Sequence, residues 1–224
     1  MPSFSQFNED TILNTYLEKN NIQINKFVIE IGAAYPELLS NSRYFISQGY
    51  KALLIEPTDY FFKLQSNYHQ DNPNVTVVQK AISDKNGTAK FNLDPEATLS
   101  SISSEGTDIE TITLKKLMTD LKIQDQTIGI LSIDVEGFDN EVLKSVLNDE
   151  IRPQIVIIEA NDDNEREKHF QVLSQDYSLV AETGRGFFRG QTGEFVDKVF
   201  TKIFKKGIFH GPNTIWIHKE LKSA

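Results

Sequence analysis

The chain has 224 residues, no cysteine and a formal net charge of −9. The lack of cysteine excludes disulfides, thiolate nucleophiles and zinc–thiolate sites, and the excess of acids argues against broad nucleic-acid affinity, which depends on neutralising phosphates with Lys and Arg. No window approaches the roughly 18 to 20 uninterrupted apolar residues of a membrane span, and the polar start is unlike a signal peptide, so we expect a single cytoplasmic domain over residues 1–224.

The first elements in chain order are an amphipathic helix and a short buried strand. Residues 5–20 place apolar side chains at helical spacing, which predicts an N-terminal helix packed against a sheet. Residues 27–31 form an apolar, largely β-branched run that is typical of a fully buried strand. The small residues 32–34 after it favour close approach of the backbone to a ligand, and a helix over 39–48 should present free N–H groups at the same edge.

The rest of the chain alternates short apolar runs with amphipathic segments. Strands are predicted over residues 51–57, 75–82, 88–93, 128–133, 154–159, 177–182 and 213–218. Further helices are predicted over residues 59–69, 113–121, 139–147 and 165–174. Residues 94–109, rich in Ser, Thr, Glu and Gly, are predicted to be a long surface loop. This alternation predicts an α/β fold with a doubly wound parallel sheet, covered by helices on both faces.

Four of the predicted strands end in an acidic residue: Glu30, Glu56, Asp134 and Glu159. The carboxyl ends of parallel strands meet at one edge of the sheet, and such folds bind ligands at that edge. We therefore expect the four carboxylates to line one crevice. The alternative is that these strands simply end in polar residues that share no site.

The acid after the second strand has a specific use in this architecture. Glu56 follows Gly32 by 24 positions, a spacing that suits hydrogen bonds from both ribose hydroxyls of an adenosine-containing cofactor. A dinucleotide would require a G-x-G-x-x-G turn for its pyrophosphate, whereas residues 32–37 read GAAYPE and place a negative charge at Glu37. A positively charged cofactor without phosphates, such as S-adenosylmethionine, therefore fits better than a nicotinamide dinucleotide.

Seven short motifs follow one another along the chain. They are SQFNED at residues 5–10, VIEIGA at 28–33, SNS at 40–42, IEP at 55–57, AISD at 81–84, LSS at 99–101 and LSIDVEGF at 131–138. In this order and spacing they resemble the FkbM-type S-adenosylmethionine-dependent methyltransferases. The resemblance implies a seven-stranded sheet with the last strand antiparallel, and methyl transfer to oxygen, often on sugars or natural products. Glu30, where the family more often has Asp, is a conservative departure.

The resemblance also implies how the cofactor is divided among these residues. The residues that would line its methionine end and reach its carboxylate are Glu30, Gly32, Ala33, Ser40 and Asn41. Glu56 would hold the ribose, and Pro57 would fix the chain after it. Ala81 and Ile82 would flank the adenine, with plain core packing as the alternative.

Methyl transfer to a hydroxyl is an in-line displacement, so the enzyme must align the oxygen and remove its proton. Asp134 is the first candidate for this role, and it also lies where it would border the cofactor. Together with Glu159 and Asn161 it resembles the oxygen-ligand Mg²⁺ site of catechol-type methyltransferases, in which the metal lowers the pKa of the acceptor. A metal-free hydrogen-bonding role is the alternative.

The connection over residues 184–212 is a lid-like insertion that should overhang the crevice. It carries six basic and two acidic residues, a net charge of +4 that leaves −13 for the remainder of the chain. Such a basic segment predicts an acceptor with a carboxylate or phosphate, bound by Arg185 and Arg189. His210 is a second candidate general base, and a loop residue without a role is the alternative.

The expected partner is thus a small-molecule acceptor, a sugar or an anionic compound, and no nucleic acid is expected. An apolar stripe over residues 195–204 predicts packing on the domain, with a homodimer contact or a membrane-surface role as alternatives. Two other functions stay open from the sequence. One is a methyltransferase-like protein that binds without catalysis, and the other, which the turn at residues 32–37 disfavours, is a nicotinamide-dependent oxidoreductase.

Overall fold

The computed structural model describes residues 3–92, 101–102, 106–135, 137–160, 162–183 and 213–222. The strands are β1 (Phe27–Ile31), β2 (Lys51–Ile55), β3 (Val75–Val78), β4 (Ala81–Ile82), β5 (Gly87–Asn92), β6 (Ser101–Ile102), β7 (Thr107–Ile112), β8 (Ile130–Ile133), β9 (Ile155–Glu159), β10 (Tyr177–Glu182) and β11 (Asn213–His218). The helices are α1 (Glu9–Lys19), α2 (Arg43–Ser47), α3 (Asp59–His69), α4 (Leu114–Asp120), α5 (Asp139–Asn148) and α6 (Asp163–Leu173), and a 3-10 turn over Lys219–Lys222 follows β11.

Seven strands form the central sheet, in the order β10-β11-β9-β8-β1-β2-β3. The pairs from β9 to β3 are all parallel, whereas β11 runs antiparallel to both β9 and β10. The strand order reverses beside β1, which pairs with β2 on one side and with β8 on the other. The predicted α/β fold, with a mostly parallel seven-stranded sheet and an antiparallel last strand, is confirmed, and ligands bind such sheets beside the point of reversal.

The central strands are buried on both faces, which explains why their sequences are continuous apolar runs. In β1 the side chains of Phe27, Ile29 and Ile31 enter one core and Val28 enters the other. The first core contains apolar residues of α4, α5 and α6, and the second contains residues of α1 and α2. Because both faces are filled, the edge at the carboxyl ends of the strands is where polar groups can gather.

A second sheet, in the order β4-β7-β5-β6, corrects two predictions. The strand predicted over residues 75–82 divides into β3 of the central sheet and β4 of the small one. Residues 107–112, of which 107–109 are predicted as the end of a long loop, form β7, which pairs antiparallel with β5 and parallel with β4. Asp108 and Glu110 of β7 are exposed and the strand has only two apolar residues, so its sequence gives a weak strand signal and the strand depends on pairing with its neighbours.

The first two helices are shorter than predicted. Asn8 and Leu39 have left-handed backbone angles, with φ of 66° and 59°, and so cannot continue a helix through their positions. Consequently α1 begins at Glu9, and α2 has five residues and begins at Arg43 rather than near residue 39. No helix in the described part of the chain is long and apolar enough to cross a membrane.

His169 on α6 is a buried titratable group away from the strand edge. It is 0% exposed, and neither ring nitrogen has a hydrogen-bond partner among the described residues. Burial lowers the pKa of His169 to about 4, and the charges of Lys168 and Arg166 add to the shift. The imidazole is therefore neutral in the folded protein at neutral pH.

This histidine should weaken the fold in acid. The unfolded chain takes up its proton near the ordinary pKa of 6.5 and the folded chain only near 4, so stability falls as the pH drops below 6.5. At pH 5 the loss is roughly 2 kcal/mol. Urea denaturation of the wild type, His169→Leu and His169→Gln at pH 7.5 and 5 would measure it.

Both variants lack the titrating group, so both should lose less stability than the wild type between pH 7.5 and 5. Buried carboxyl groups with raised pKa values act in the opposite direction, because the folded state then binds protons more tightly, but they are common to all three proteins and cancel in the comparison. Parallel pH dependence in the three proteins would contradict the assignment.

Candidate functional site

The four strand-ending acids lie together at the carboxyl edge of the central sheet. Glu30 lies in β1, Glu56 follows β2, Asp134 follows β8 and Glu159 ends β9, so they occupy four adjacent strands. Asp134 hydrogen-bonds with Glu159, and the charge of Glu30 raises the pKa of Asp134. The charge of Asp134 in turn raises the pKa of Glu56. The structure therefore places the four predicted carboxylates within electrostatic range of one another.

Asp134 and Glu159 form a carboxyl pair at the centre of this edge. Burial raises the pKa of Asp134 to about 6; the charges of Glu30 and Glu9 add to the rise, and the hydrogen bond with Glu159 opposes it. Two interacting carboxyls hold a proton between them more readily than separate ones do. The pair can therefore accept or release a proton near neutral pH.

Glu30 fixes the segment that precedes α2. Its Oε2 accepts hydrogen bonds from Ser40 Oγ at 3.0 Å and from Ser42 Oγ at 2.5 Å, and its Oε1 accepts one from Asn41 N at 2.7 Å. Burial raises the pKa of Glu30, and these hydrogen bonds offset part of that rise. The carboxylate thus anchors residues 40–42 to β1, and three of the residues implied for the methionine end belong to one hydrogen-bonded unit.

The side chain of Asn41 has an unused acceptor. Its Nδ2 donates to Ser132 Oγ at 3.0 Å, but Oδ1 is buried and accepts no hydrogen bond from any described residue. A buried polar atom without a partner costs about 1 to 3 kcal/mol, so such an atom in a native fold calls for a reason. An N–H donor of a ligand would supply one.

The turn after β1 is packed against the turn after β8. Gly32 has a φ of +87°, and a Cβ added to it would lie 1.8 Å from the backbone oxygen of Asp134. Gly32 N and Ala33 N both donate to the Ile55 carbonyl, at 2.9 and 3.2 Å, and the Ala33 carbonyl accepts from Gln65 Nε2 at 2.5 Å. Close approach at Gly32 was predicted for a ligand, and the structure uses it to bring the backbone of Asp134 against β1.

Glu56 keeps one carboxylate oxygen available. Its Oε1 accepts from Thr58 N at 2.8 Å and from Thr58 Oγ1 at 2.6 Å, across Pro57, whereas no described residue donates to Oε2. Burial and the charge of Asp134 raise the pKa of Glu56 to about 7. The carboxylate is thus held in one orientation by Thr58 while its second oxygen can accept from a ligand hydroxyl.

The residues implied for adenine lie in the small sheet. Ala81 and Ile82 form β4 and are both buried, and Ile82 belongs to the core shared by β1 and β8. Ile82 thus packs in the core, and its contact with adenine stays a prediction. Ala81 pairs with Thr111 of β7.

Two acids of this edge were not among the predicted site residues. Asp139 accepts from Val135 N at 3.0 Å and Gly137 N at 3.1 Å, and burial and the charge of Asp134 raise its pKa to about 7. Glu9 of α1 lies near enough to raise the pKa of Asp134. Glu9 occupies the first position of α1, and the sequence pattern offers no signal that distinguishes a buried acid there.

Four predicted site residues lie outside the described residues: Asn161, Arg185, Arg189 and His210. The predicted lid-like insertion over residues 184–212 and its apolar stripe lie outside them too. Among the residues that the structure does describe, no three His, Asp or Glu side chains are grouped so as to hold a metal ion. The Mg²⁺ site predicted at Asp134 and Glu159 thus has no support from the described geometry.

Comparison with known proteins adds a family model. A model described as a methyltransferase FkbM domain matches residues 30–187. No curated protein sequence matches the chain. Since the structural similarities that follow have TM-scores below 0.5, the family model alone carries the assignment.

Three solved structures illustrate the similarity of fold. The Escherichia coli protein yhhF has a TM-score of 0.49 at 11% identity, over 93% of this chain and 85% of that chain. A precorrin-6y C5,15-methyltransferase from Geobacter metallireducens has a TM-score of 0.44 at 11% identity, over 92% and 85%. The human methyltransferase 10 domain containing protein has a TM-score of 0.46 at 11% identity, over 92% and 81%.

Proposed function

Because this chain belongs to the FkbM methyltransferase family, whose cofactor is S-adenosylmethionine, we propose that it methylates a hydroxyl group of a small molecule such as a sugar or a natural-product intermediate. The observation that carries the proposal is the row of strand-ending acids, Glu30, Glu56, Asp134 and Glu159, at one edge of the sheet. Buried carboxylates that repel one another favour a positively charged ligand, since its charge relieves the repulsion.

The residues present fit S-adenosylmethionine at three points. The unpartnered Oδ1 of Asn41 is an acceptor for the ammonium group of its methionine end. The Oε2 of Glu56, to which no described residue donates, is an acceptor for the ribose hydroxyls. Burial raises the pKa values of Glu30, Glu56 and Asp134 because it makes their ionised forms costly, and the positive charge of the sulfonium would offset that cost. A phosphate-containing dinucleotide would meet the same acids with a negative charge.

S-adenosylmethionine, when bound, would supply a methyl group on a positively charged sulfur, and the neutral thioether would be the leaving group of the transfer. The protein must then remove the proton of the acceptor hydroxyl as the new C–O bond forms. Asp134, which has a pKa of about 6 and a hydrogen bond with Glu159, is the proposed acceptor of that proton. The backbone of Asp134 packs against Gly32, in the turn after β1 that is proposed to line the cofactor.

The acceptor is proposed to be anionic, because the basic excess of residues 184–212 contrasts with the acidic remainder. Arg185 and Arg189 are proposed to bind its carboxylate or phosphate, and His210 is the alternative base. A divalent ion at Asp134, Glu159 and Asn161 is the alternative to direct proton transfer, and it is tested together with Asp134 below.

Calorimetry with S-adenosylmethionine, S-adenosylhomocysteine and NAD tests the cofactor assignment. S-adenosylmethionine should bind more tightly than S-adenosylhomocysteine at pH 8, because only the former carries the sulfonium charge. This margin should shrink by roughly tenfold at pH 5.5, where acids with pKa values of about 6 and 7 become protonated. NAD should not bind, and binding of NAD in preference to both would contradict the proposal.

The role of Glu56 is tested by the same titrations on a matched pair of variants. Glu56→Gln removes a buried acceptor at the proposed ribose position, whereas Asp59→Asn removes an exposed carboxylate three residues later that pairs with Lys63. Only the first should weaken S-adenosylmethionine binding. Equal affinities of the two variants would remove Glu56 from the site.

Turnover separates an enzyme from a binding protein of the same fold. Methyl transfer from labelled S-adenosylmethionine would be followed with neutral sugars, sugars bearing carboxylates or phosphates, and a short single-stranded RNA. The acidic sugars are expected to react fastest. Binding of the cofactor without turnover on any acceptor would favour the non-catalytic alternative, and turnover on RNA alone would overturn the proposed acceptor class.

A further inference from the structure

The segment of residues 3–10 leads into the first turn of α1 and ends in two buried acids that neither the proposed cofactor contacts nor the proposed proton transfer uses. Glu9 and Asp10 are each 0% exposed. The segment lies outside residues 30–187, to which the family model extends. Charged groups are rarely buried to this degree unless they are hydrogen-bonded, so the partners of each acid show what it holds in place.

Asp10 organises the residues at the start of the segment. Its Oδ2 accepts from Phe4 N at 2.8 Å, and its Oδ1 accepts from Ser3 Oγ at 2.5 Å, Ser5 Oγ at 3.0 Å and Thr11 N at 2.6 Å. A carboxylate can accept all four because it has no proton to donate, whereas a carboxamide in its place would turn one NH₂ group towards donors. The charge of Asp10 thus fixes the backbone of residues 3–5.

Phe4 connects the residues that Asp10 holds to the segment 40–42 at the proposed cofactor site. Its carbonyl accepts from Ser40 N at 3.1 Å, and Ser40 Oγ in turn donates to Glu30 Oε2 at 3.0 Å. The ring of Phe4 also lies against the Arg43 guanidinium, 5.2 Å from the ring centroid to Cζ. Residues 40–42 precede α2 and belong to no helix or strand, so contacts of this kind set their position.

Glu9 holds the opposite side of the segment. Its Oε1 accepts from Thr183 Oγ1 at 2.5 Å and from Asn213 Nδ2 at 2.9 Å, and its Oε2 accepts from Phe7 N at 2.8 Å. Thr183 follows β10 and Asn213 begins β11, and both are buried. The segment is thereby fastened to the sheet independently of Asp10, so loss of the Asp10 contacts should free residues 3–5 without releasing α1.

From these contacts we propose that Asp10 is a positioning residue for the methionine end of the cofactor, acting through Phe4 and Ser40 on the unit that Glu30 forms with residues 40–42. The role rests on the proposed function, because it takes Asn41 to contact the amino-acid part of S-adenosylmethionine. This role also gives the SQFNED motif of residues 5–10 a function, because its last residue, Asp10, positions residues that contact the proposed cofactor site.

The test compares two ligands that differ only in the amino-acid part. S-adenosylhomocysteine carries that part, and 5′-methylthioadenosine keeps the adenosine and sulfur without it. Asp10→Asn should weaken S-adenosylhomocysteine binding about tenfold, the effect expected from losing one charge-assisted hydrogen bond, and leave 5′-methylthioadenosine binding unchanged. Glu18→Gln, which removes an exposed carboxylate from the same helix α1, is the matched control and should change neither affinity.

The outcomes separate the inference from the proposed function. Asp10→Asn that binds both ligands as the wild type does, or that loses both equally, overturns the positioning role, and the equal loss indicates a general structural role instead. A wild type that binds neither ligand contradicts the proposed function itself. If circular dichroism shows that Asp10→Asn does not fold, Ser5→Ala carries the same comparison. It removes the hydrogen bonds of Ser5 Oγ with the carboxylate and the backbone N–H of Asp10, and the expected loss is about threefold and confined to S-adenosylhomocysteine.

Discussion

Replacing Gly32 by alanine is expected to destabilise the protein by roughly 2 to 5 kcal/mol, a large part of the 5 to 15 kcal/mol that holds an ordinary domain together. Two costs combine at this position. An L-residue is strained at a φ of +87°, and the new Cβ would lie 1.8 Å from the backbone oxygen of Asp134. Relief requires the turn after β1 to move away from the turn after β8, which disturbs the hydrogen bond from Asp134 N to the Ile31 carbonyl.

Gly49 provides the matched control for this prediction. It has a φ of +82°, but a Cβ added there would meet no atom within 4 Å. Gly49→Ala therefore carries the backbone strain alone, about 1 to 2 kcal/mol. Urea denaturation of the two variants at one pH gives both free energies of unfolding, and equal losses would show that the contact with Asp134 is unimportant.

Asp134→Asn is expected to lower kcat by about 10² to 10⁴, the range typical for loss of a general base. The dissociation constant of S-adenosylmethionine should rise by no more than about threefold, less than the roughly tenfold effect expected from protonating Asp134 and Glu56 together, because Glu56 keeps its charge. In the wild type, kcat should rise with pH about a midpoint near 6, since the base must be ionised and burial raises its pKa to about 6. In the variant this rise should be absent.

Two comparisons make the result specific to proton transfer. Asp120→Asn removes an exposed carboxylate that pairs with Lys116 on α4, and it should leave kcat unchanged. EDTA treatment of the wild type should also leave kcat unchanged if Asp134 acts directly. Loss of activity in EDTA that Mg²⁺ restores would assign Asp134 to a metal site instead, and a large loss of cofactor affinity in Asp134→Asn would assign it to cofactor binding.

Much of the central sheet could be predicted from local patterns. The bounds of β1, β10 and β11 coincide with those predicted. Strands that are buried on both faces, or that end at clear turn residues, have a sequence pattern that few other structures share. The meeting of Glu30, Glu56, Asp134 and Glu159 could also be predicted. The carboxyl ends of parallel strands lie at one edge of the sheet. Residues at the ends of neighbouring parallel strands therefore lie near one another, and β9, β8, β1 and β2 are such neighbours.

Other features followed from pairing and burial that local sequence does not encode. β7 has the composition of a loop and becomes a strand because β5 and β4 supply its hydrogen bonds. The helix predicted over residues 39–48 shortens to Arg43–Ser47 because Glu30 holds residues 40–42 through their side chains and backbone.

The sequence alone determined the class of fold, the edge at which the acids gather and the family to which the chain belongs. The tertiary structure decided which residues each acid contacts. Glu9 and Asp10 are adjacent in the sequence, yet one contacts Asn213 and the other is linked through Phe4 to Ser40. Contacts between residues that lie far apart in the sequence form only when the whole sheet is assembled, and they fix the burial on which the charge of each carboxyl group depends.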